Sequence, residues 1–575
     1  MFGISPYEYD DDGFRDCSVT GLRIHRSAED MVKLYGLTAI VALVVGGIFA
    51  IAVAMTRWEL VGMLDPGQFY TYLSMHAWNL LIFWMVFMEI AILYVGGPFV
   101  LGRRLSLPSL AKVGYGLMLV GAVGVNVAIF LTKSPDNAPL LTSYVPLPSS
   151  WQFYLFAIVF LLGAVVAALP FFATIWWERQ ENPGKTLPLV AFGAFVTSII
   201  ALEALLGGLI TYVPTLAWRI GVLESLDPVW YRQMYWIVGH GTQQINLVAM
   251  IVIWYFLTHV LGGAEVASQK VSRIAFVMYL FFINLGAAHH LMSDPAVSAG
   301  WRLWNTSYSA YGAVIASMIH AFAIPAGLEA GRRAKGKGGG LFGWLWSSPW
   351  RDPGYSATIL SIILFGFLGG ITGVMMGQMQ LNMTWHNTLA TVGHFHATVV
   401  LGTTVAFMGL AYYVLRLVFG REWVLKPLAR IQPFFYSGTM ALVTLMMMYL
   451  GLLFSVPRRH PSVMDIPGTE FSFEAAAPFF AVFGIAALLA IVGGAMFVVV
   501  AVGTLLFGDE FDAATAKIGD VGRLAAADGG DEDHEPVHEQ SMRGTFVLTL
   551  VFLATFVVLT ALNWYLLSNT WQIGP

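Results

Sequence analysis

The chain has 575 residues, of which 57% are hydrophobic and only 11% charged, whereas a water-soluble globular protein carries about 25% charged residues. This composition excludes a soluble globule, and the formal net charge of -4 gives no reason to expect nucleic acid as a partner. The single cysteine, Cys17, excludes a disulfide framework, a Cys-ligated iron–sulfur cluster and a thiolate dinuclear copper site within this chain.

Thirteen apolar segments are each long enough to cross a hydrocarbon core of about 30 Å. In chain order they are 33–56, 70–98, 113–132, 151–177, 187–214, 230–261, 271–293, 304–329, 355–378, 384–418, 432–455, 474–507 and 543–568. We therefore predict an all-α, polytopic membrane helical bundle of about thirteen transmembrane helices, built as a twelve-helix core plus one further helix.

Lysine and arginine concentrate in the second, fourth, eighth and tenth connections between these segments. By the positive-inside rule these connections face the cytoplasm, and so does the N-terminus. Acidic residues near the start, such as Asp10, Asp11 and Asp12, predict that no signal peptide is present. We predict four parts, namely a cytoplasmic N-terminal segment at 1–32, the twelve-helix core at 33–507, an acidic cytoplasmic linker at 508–542 and a C-terminal transmembrane helix at 543–575.

Six of the histidines inside the predicted spans are the most informative, because polar residues there are costly and usually functional. Counting residues from the helix ends, at 1.5 Å per residue, places all six within about 20 Å of the outer face. Four helices therefore bring imidazoles to one layer, which predicts a metal-binding centre. The six are His76, His240, His289, His290, His394 and His396.

The spacing of His394 and His396 predicts that the two face different partners, because residues two apart on an α-helix point about 200° apart. The simplest interpretation is a helix held between two haems, each bound by one of the pair. His76, on a distant helix at matching depth, is then the second axial ligand of one haem. The other haem keeps an open position for substrate.

His240, His289 and His290 supply three imidazoles, a set that suits copper, iron or zinc. Beside an open haem, they predict a dinuclear pocket. Other histidines within the spans, His259 and His320, are interpreted as hydrogen-bonded packing residues.

Arg458 and Arg459 lie in an outer connection next to the same layer. Two adjacent guanidinium groups can pair bidentately with haem propionates. The alternative is that they belong to a solvated loop.

These residues resemble the catalytic subunit of the haem-copper oxidoreductase superfamily, over about residues 30 to 510. The likeness is closest to the B-type oxygen reductases, through HHLMSDP from His289, LEALL from Leu202 and SYVPLPSSWQFYL from Ser143. The other matching motifs are the helix of His76, GH at Gly239 and His240, HNT at His386 to Thr388, GHFH from Gly393 to His396, and PRR ending at Arg459.

The resemblance implies a low-spin haem on His76 and His396, a high-spin haem on His394, and copper or non-haem iron on the three-histidine set. It also implies that His386 lies with Arg458 and Arg459 at the haems. Electrons are then expected from a partner subunit that carries a dinuclear copper centre or a cytochrome c. The expected location is the cytoplasmic membrane of a prokaryotic cell, with the metal sites near its outer side.

The sequence departs from oxygen reductases of this type four residues after His240. There the family carries a tyrosine linked to the histidine, whereas this chain has Gln244 in the run His240, Gly241, Thr242, Gln243, Gln244. Position i+4 shares the helix face of His240, and an amide cannot donate a proton and an electron as a phenol can. Nitric oxide reductases of the superfamily lack that tyrosine and often carry Glu at this position.

We therefore predict a nitric oxide reductase that converts two NO to N2O and water. Two alternatives stay open: a B-type cytochrome c oxygen reductase in which a tyrosine elsewhere serves oxygen chemistry, and a transporter that uses buried histidines as a proton relay.

Further polar and aromatic residues are predicted around the pocket. Trp236 and Tyr144 are expected to line the pocket or the haems, and Glu203 is expected at mid-helix as part of the proton supply. The relay candidates on neighbouring helices are Tyr255, Ser309, Tyr311 and Ser317. Each of the last four is also open to a simpler interpretation, as an interhelical hydrogen bond.

Overall fold

The computed structural model describes residues 6–58, 60–131, 138–145, 147, 149–282, 284–461, 474–512 and 542–570. Helices dominate these residues, and the prediction of an all-α membrane bundle is confirmed. Within the described ranges the one sheet is an antiparallel hairpin, in which β1 (Phe14–Asp16) pairs with β2 (Arg23–His25). The hairpin lies inside the segment predicted as the N-terminal part of the chain, and it was not predicted.

Twelve helices of the described chain are long and apolar enough to cross a membrane. They are α1 (Arg26–Arg57), α2 (Pro66–Phe99), α3 (Pro108–Leu131), α4 (Trp151–Glu181), α5 (Leu189–Arg219), α6 (Pro228–Gly262), α8 (Ala299–Ala334), α9 (Pro353–Gly377), α10 (Leu389–Val418), α11 (Lys426–Phe454), α12 (Glu474–Phe507) and α13 (Arg543–Thr570). The remaining predicted segment, 271–293, forms a shorter α-helix, α7 (Gln269–Phe282), and then a 3₁₀-helix at Asn284–Leu291.

Two helix starts differ from the prediction because a side chain caps the helix at another residue. The ring of His25 accepts a hydrogen bond from the Ser27 amide, so α1 starts at Arg26 rather than near residue 33. The hydroxyl of Thr388 accepts from the Ala390 amide, so α10 starts at Leu389 and a separate short helix precedes it. Such caps satisfy amides that the first helical turn leaves free. Residues 513–541 of the predicted acidic linker lie outside the described residues.

The three most buried spans are α2, α6 and α10. They carry His76, His240 and the pair His394 and His396, so the histidines lie on the helices at the centre of the bundle. Close packing against α10 requires Gly393, because a Cβ on this residue would lie 2.9 Å from the backbone nitrogen of Met448 on α11. The glycine of the GHFH motif therefore lets two helices approach directly beside His394.

α13 is held to α8 by one buried carboxylate. Glu329 on α8 accepts hydrogen bonds from the backbone amides of Gly544 (3.1 Å) and Thr545 (2.6 Å) and from the Thr545 hydroxyl (2.7 Å). The same carboxylate pairs with Arg333 at 2.7 Å. The first amides of a helix have no partner within the helix, so Glu329 satisfies two free amides of α13. Its ion pair with Arg333 offsets the free-energy cost of burying the carboxylate.

We predict that Glu329→Ala destabilises the protein by about 2 kcal/mol or more, because it leaves buried donors without an acceptor. Thermal unfolding of the purified protein in detergent measures this effect. Asp30→Ala is the control, since it removes an exposed Arg26–Asp30 pair at 3.8 Å and should cost less than about 1 kcal/mol. Equal effects of the two substitutions would contradict the anchoring role of Glu329.

Candidate haem and metal site

His240, His289 and His290 meet at one point in the bundle. One ring nitrogen from each lies within 4.8 Å of the others, and His240 Nδ1 is 3.2 Å from His290 Nε2. Three imidazole nitrogens around one small space form a donor set that suits copper, iron or zinc. The structure thus brings together the three residues that were predicted as metal ligands, although they come from α6 and from the 3₁₀-helix after α7.

An aromatic layer supports this cluster from behind. The indole of Trp236 stacks on the His290 ring, with the ring centres 3.8 Å apart and the planes 5° apart. Its N–H donates to the Tyr144 hydroxyl at 2.8 Å. Trp236 lines the cavity at the cluster, as predicted, whereas Tyr144 lies behind Trp236 and does not line that cavity. Both residues hold His290 in place.

A cavity of about 520 Å³, named here the main cavity, joins the three histidines to His394 on α10. The side chain of Thr372 on α9 determines which nitrogen of His394 is free. Its hydroxyl donates to the Leu368 carbonyl (2.5 Å) and lies 2.9 Å from His394 Nδ1. Because the hydroxyl has one hydrogen, it accepts from Nδ1–H, and the lone pair of Nε2 is left for a metal.

One wall of the main cavity is a row of glycines on α9. A Cβ on Gly373 would lie 3.2 Å from the His394 ring carbon Cε1, so this wall allows a flat group to approach His394. The residues of the row are Gly366, Gly369, Gly370, Gly373 and Gly377. Apolar walls, an imidazole with a free nitrogen and a glycine face together fit a haem beside the three-histidine cluster.

His76 and His396 form a second pair with free nitrogens. Their Nδ1 atoms lie 3.1 Å from the Gly46 carbonyl and 2.8 Å from the Val392 carbonyl, respectively. A carbonyl can only accept, so each Nδ1 carries the hydrogen and each Nε2 is available. Both rings are half-buried on central helices, and His396, unlike His394, does not line the main cavity. The two histidines of α10 therefore face different surroundings, and their division between two haems stays a prediction.

Gln244 lies against His240, with its amide nitrogen 2.7 Å from His240 Nε2. It lines the main cavity, and its buried amide oxygen has no partner among the described residues. The side chain therefore occupies the face of α6 that was predicted from the i+4 spacing.

Positive charge concentrates at one end of the site, outside the spans. No carboxylate of the described residues lies within ion-pair distance of Arg458 or Arg459. Burial, with the neighbouring Arg459, lowers the pKa of Arg458 to about 10, and burial likewise lowers the pKa of Arg459. Arg458 also lines the main cavity. Two half-buried guanidinium groups without a carboxylate partner among the described residues fit the propionates of a haem.

His386 lies close to the same charges. Burial lowers its pKa, and the nearby Arg458, Arg232 and Arg459 lower it further, while Asp294 opposes them. Asp294 pairs with Arg232 at 2.8 Å. His386 is therefore placed with the arginines, in agreement with the predicted grouping of the HNT motif.

Of the four predicted relay residues, Ser309 and Ser317 line the main cavity, and Tyr255 belongs to a hydrogen-bonded group with Ser272 and His320. Tyr255 donates to Ser272 (3.0 Å) and contacts His320 Nδ1 (3.1 Å). Tyr279 stacks on His320 and bonds to Ser317 (2.9 Å), which lines the main cavity with Ser309. Ser272 and Tyr279 were not predicted from the sequence, and His320 was predicted to be a hydrogen-bonded packing residue only. A run of hydroxyls and an imidazole across α6, α7 and α8 appears only once these helices are packed.

The structure does not bring two predicted residues into the site. Glu203 lies on an exposed face of α5, and Tyr311 on α8 is 50% exposed. Neither lines the main cavity. Glu203 does lie in the middle of α5, as predicted, but depth along a helix does not fix which face of the helix meets the pocket.

Comparison with known proteins gives the family. Residues 30–495 match the model for "Cytochrome C and Quinol oxidase polypeptide I". The chain belongs to this family, the haem-copper oxidase subunit I family. Cytochrome c oxidase subunit 1 of Thermus thermophilus is 29% identical over 454 residues, which cover 75% of this chain and 77% of the relative.

The fold also matches a solved haem-copper terminal oxidase dimer. That structure, determined by cryo-EM, superposes with a TM-score of 0.79 at 22% sequence identity, covering 94% of this chain and 92% of the other. Subunits of this family bind haems and a copper or iron site, and the cluster of His240, His289 and His290 is the group in this chain that suits the latter.

We predict that His394→Ala removes the high-spin haem signal and leaves the low-spin signal, because His394 lines the main cavity and His76 and His396 do not. His76→Ala should do the reverse. Absorption and electron paramagnetic resonance spectra of the purified variants measure both signals, and His259→Ala, outside this site, serves as the control. Loss of both signals in a folded His394→Ala protein would contradict the division of the two haems.

Proposed function

We propose that this chain is the catalytic subunit of a membrane nitric oxide reductase, which reduces two NO to N2O and water. The observation that carries the proposal is the contact between Gln244 and His240. The amide lies 2.7 Å from His240 Nε2, while the other ring nitrogen of His240, Nδ1, lies 3.2 Å from His290 Nε2. In the B-type oxygen reductases that this chain resembles, a tyrosine occupies the helix position of Gln244.

The walls of the main cavity support the same conclusion. Its described lining residues include four histidines and two glutamines, and no tyrosine is among them. Tyr144 and Tyr279 are each one hydrogen bond behind the wall, on Trp236 and Ser317. Splitting O2 in one step calls for an electron from a group such as a phenol beside the metals, whereas joining two NO requires only two electrons and two protons in total.

Bound haem and metal supply the positions for substrate and its electrons, and the protein determines how they are held. For a metal on His240 Nδ1, the neutral ring carries its hydrogen on Nε2. The amide oxygen and nitrogen of Gln244 have nearly the same shape and can exchange places when the amide group turns over. In that orientation the oxygen, which otherwise has no partner among the described residues, accepts the hydrogen of His240 Nε2. Gln244 thereby orients His240 without contributing charge or a redox centre.

The second candidate is a B-type oxygen reductase, which the cytochrome c oxidase relative favours. Under this alternative, Gln244 is only a hydrogen-bonding residue of the bundle. The transporter hypothesis is not favoured, because it gives no reason for imidazoles with one nitrogen fixed and the other free around the main cavity.

The remaining components follow from the same proposal. Electrons enter from a partner subunit that carries a dinuclear copper centre or a cytochrome c, since Cys17 is the only cysteine of the chain. They pass by way of the His76 and His396 pair to the main cavity. The N-terminus and the basic connections face the cytoplasm, and the metal sites lie near the outer side.

Protons reach the cavity through the chain of hydroxyls on α6, α7 and α8. Ser272 lies near the start of α7 and bonds to Tyr255, which contacts His320. The His320 ring stacks on Tyr279, which bonds to Ser317 at the cavity wall. His320 is fully buried, and its Nε2 has no partner among the described residues, which supports a relay role for this ring in addition to packing.

We predict that the purified enzyme consumes NO at least about tenfold faster than O2, with the same reduced donor. Gln244→Ala should lower NO turnover by about tenfold or more, the usual cost of losing a hydrogen bond to a metal ligand, and Gln244→Glu should retain more of it. Amperometric measurement with each gas tests this, with haem content as the control. Rapid O2 consumption without NO consumption would refute the proposal.

We predict that Tyr255→Phe slows turnover by about tenfold or more and leaves both haem spectra unchanged. The substitution removes the hydroxyl between Ser272 and His320 and keeps the ring. Thr215→Val is a suitable control, because the Thr215 hydroxyl bonds only within its own helix, to the Thr211 carbonyl. Steady-state rates at saturating donor measure the effect, and an unchanged rate would remove Tyr255 from the proton path.

A further inference from the structure

Glu89 is a buried carboxyl group that the site described above does not use. It lies on α2, thirteen residues past His76 along the chain, in a stretch where every residue from Trp84 to Tyr94 is buried. The side chain is 3% exposed, and its Oε1 has no hydrogen-bond partner among the described residues. Four helices, α1, α4, α5 and α6, pack around this part of α2.

An ionised carboxylate without a partner is strongly disfavoured in such an environment. The neutral acid is the form that the surroundings allow, so Glu89 holds a proton deep in the bundle. A carboxylic acid placed there for packing alone would be replaced at no cost by an apolar side chain. Ionisable residues inside a membrane commonly mark proton pathways.

A second cavity lies beside α2, one helical turn from Glu89. It has a volume of about 80 Å³, is named here the rear cavity, and lies between α2, α4, α5, α6 and α10. Ile82 and Val86 of α2 line it, and Glu89 follows Val86 by three residues. Glu89 is not itself a lining residue. It lies one helical turn beyond Val86 in the regular α-helical part of α2 (Trp84–Tyr94), and residues three apart are neighbours on a helix surface.

The rear cavity adjoins the main cavity. Gln243, Asn246, Phe395 and Val399 line both. Asn246 is 3% exposed, and its amide oxygen has no partner among the described residues. A space of this volume holds a few water molecules, which need polar partners. The amides of Gln243 and Asn246, at the wall shared with the main cavity, provide such partners.

We propose that Glu89 is an internal proton donor to the metal site, through the rear cavity and past Asn246. In the reaction 2 NO + 2 e⁻ + 2 H⁺ → N2O + H2O, an N–N bond forms, one N–O bond breaks, and the released oxygen takes both protons. Glu89 gives one proton and regains one from the cytoplasmic side, while the partner's copper centre or cytochrome c supplies the electrons. The inference rests on the proposed function for the substrate only, because O2 reduction also consumes protons.

The test uses Glu89→Gln, which keeps the shape and removes the acidic proton, and Glu89→Asp, which keeps the acid. Glu265→Gln, on an exposed loop residue, is the matched control. Glu89→Gln should lower turnover by about tenfold or more with both haem spectra intact, Glu89→Asp should recover most of the loss, and Glu265→Gln should match the wild type. A Glu89→Gln rate within about twofold of the wild type would overturn the proposal.

Redox-difference infrared spectroscopy gives a readout that does not depend on turnover. The wild type should show a carbonyl-stretch band of a protonated carboxyl that shifts in D2O, moves in Glu89→Asp and disappears in Glu89→Gln. A band that is unchanged in both variants would overturn the proposal, even if Glu89→Gln binds haem poorly. The rate ratio of NO to O2 in the wild type tests the proposed function separately, so the two failures are distinguishable.

Discussion

The site depends on imidazoles whose Nδ1 atoms are fixed by acceptors of the protein. His76, His289 and His396 donate from Nδ1 to the carbonyls of Gly46, Gly286 and Val392, and His394 donates to Thr372. Each bond fixes the tautomer and the ring direction and leaves Nε2 free. Without these bonds, a buried imidazole would have no fixed tautomer or ring direction, and its Nε2 would not be held in position to bind a metal.

The helices hold these acceptors in place through close contacts and local changes in helical geometry. π-helical segments occur at Trp78–Phe83, directly after His76, and at His396–Thr404, starting at the second histidine of α10. A π-helical turn shifts the faces of a helix relative to one another and often occurs at functional sites. Together with the glycines of α9, these segments leave open space inside a bundle that is otherwise tightly packed.

Within this shared framework, one side chain separates the two candidate reactions. Gln244 makes a hydrogen-bonding contact that can orient His240, but unlike a tyrosine it has no phenol to bring to the main cavity. The electrons and protons must then come from elsewhere. Under the proposed function, the group of Tyr255 and His320 and the buried acid Glu89 both supply protons to the metals.

Much of this arrangement could be predicted from the sequence. Apolar length located all thirteen segments, although one of them, 271–293, forms a shorter α-helix and a 3₁₀-helix rather than a long helix. The i+4 rule placed Gln244 on the face of His240. The prediction failed where a residue's position depends on helix rotation or on packing between helices, as it did for Glu203 and Tyr311. Thr372, Ser272 and Tyr279 carry no signal of their own, because a hydroxyl in a membrane helix usually bonds within that helix. Glu89 had a signal, a single carboxyl in an apolar run, that the sequence argument did not use.

X-ray absorption at the copper and iron edges of the purified subunit complex tests the central claim most directly. The account predicts two haem irons and one further copper or iron per chain, with the further metal bound by three imidazole nitrogens at about 2.0–2.1 Å, by analogy with zinc–imidazole bonds. Substituting His289 with alanine should remove one of these nitrogens from the spectrum. A complex that is active with its natural donor but contains only the two haem irons would contradict the account.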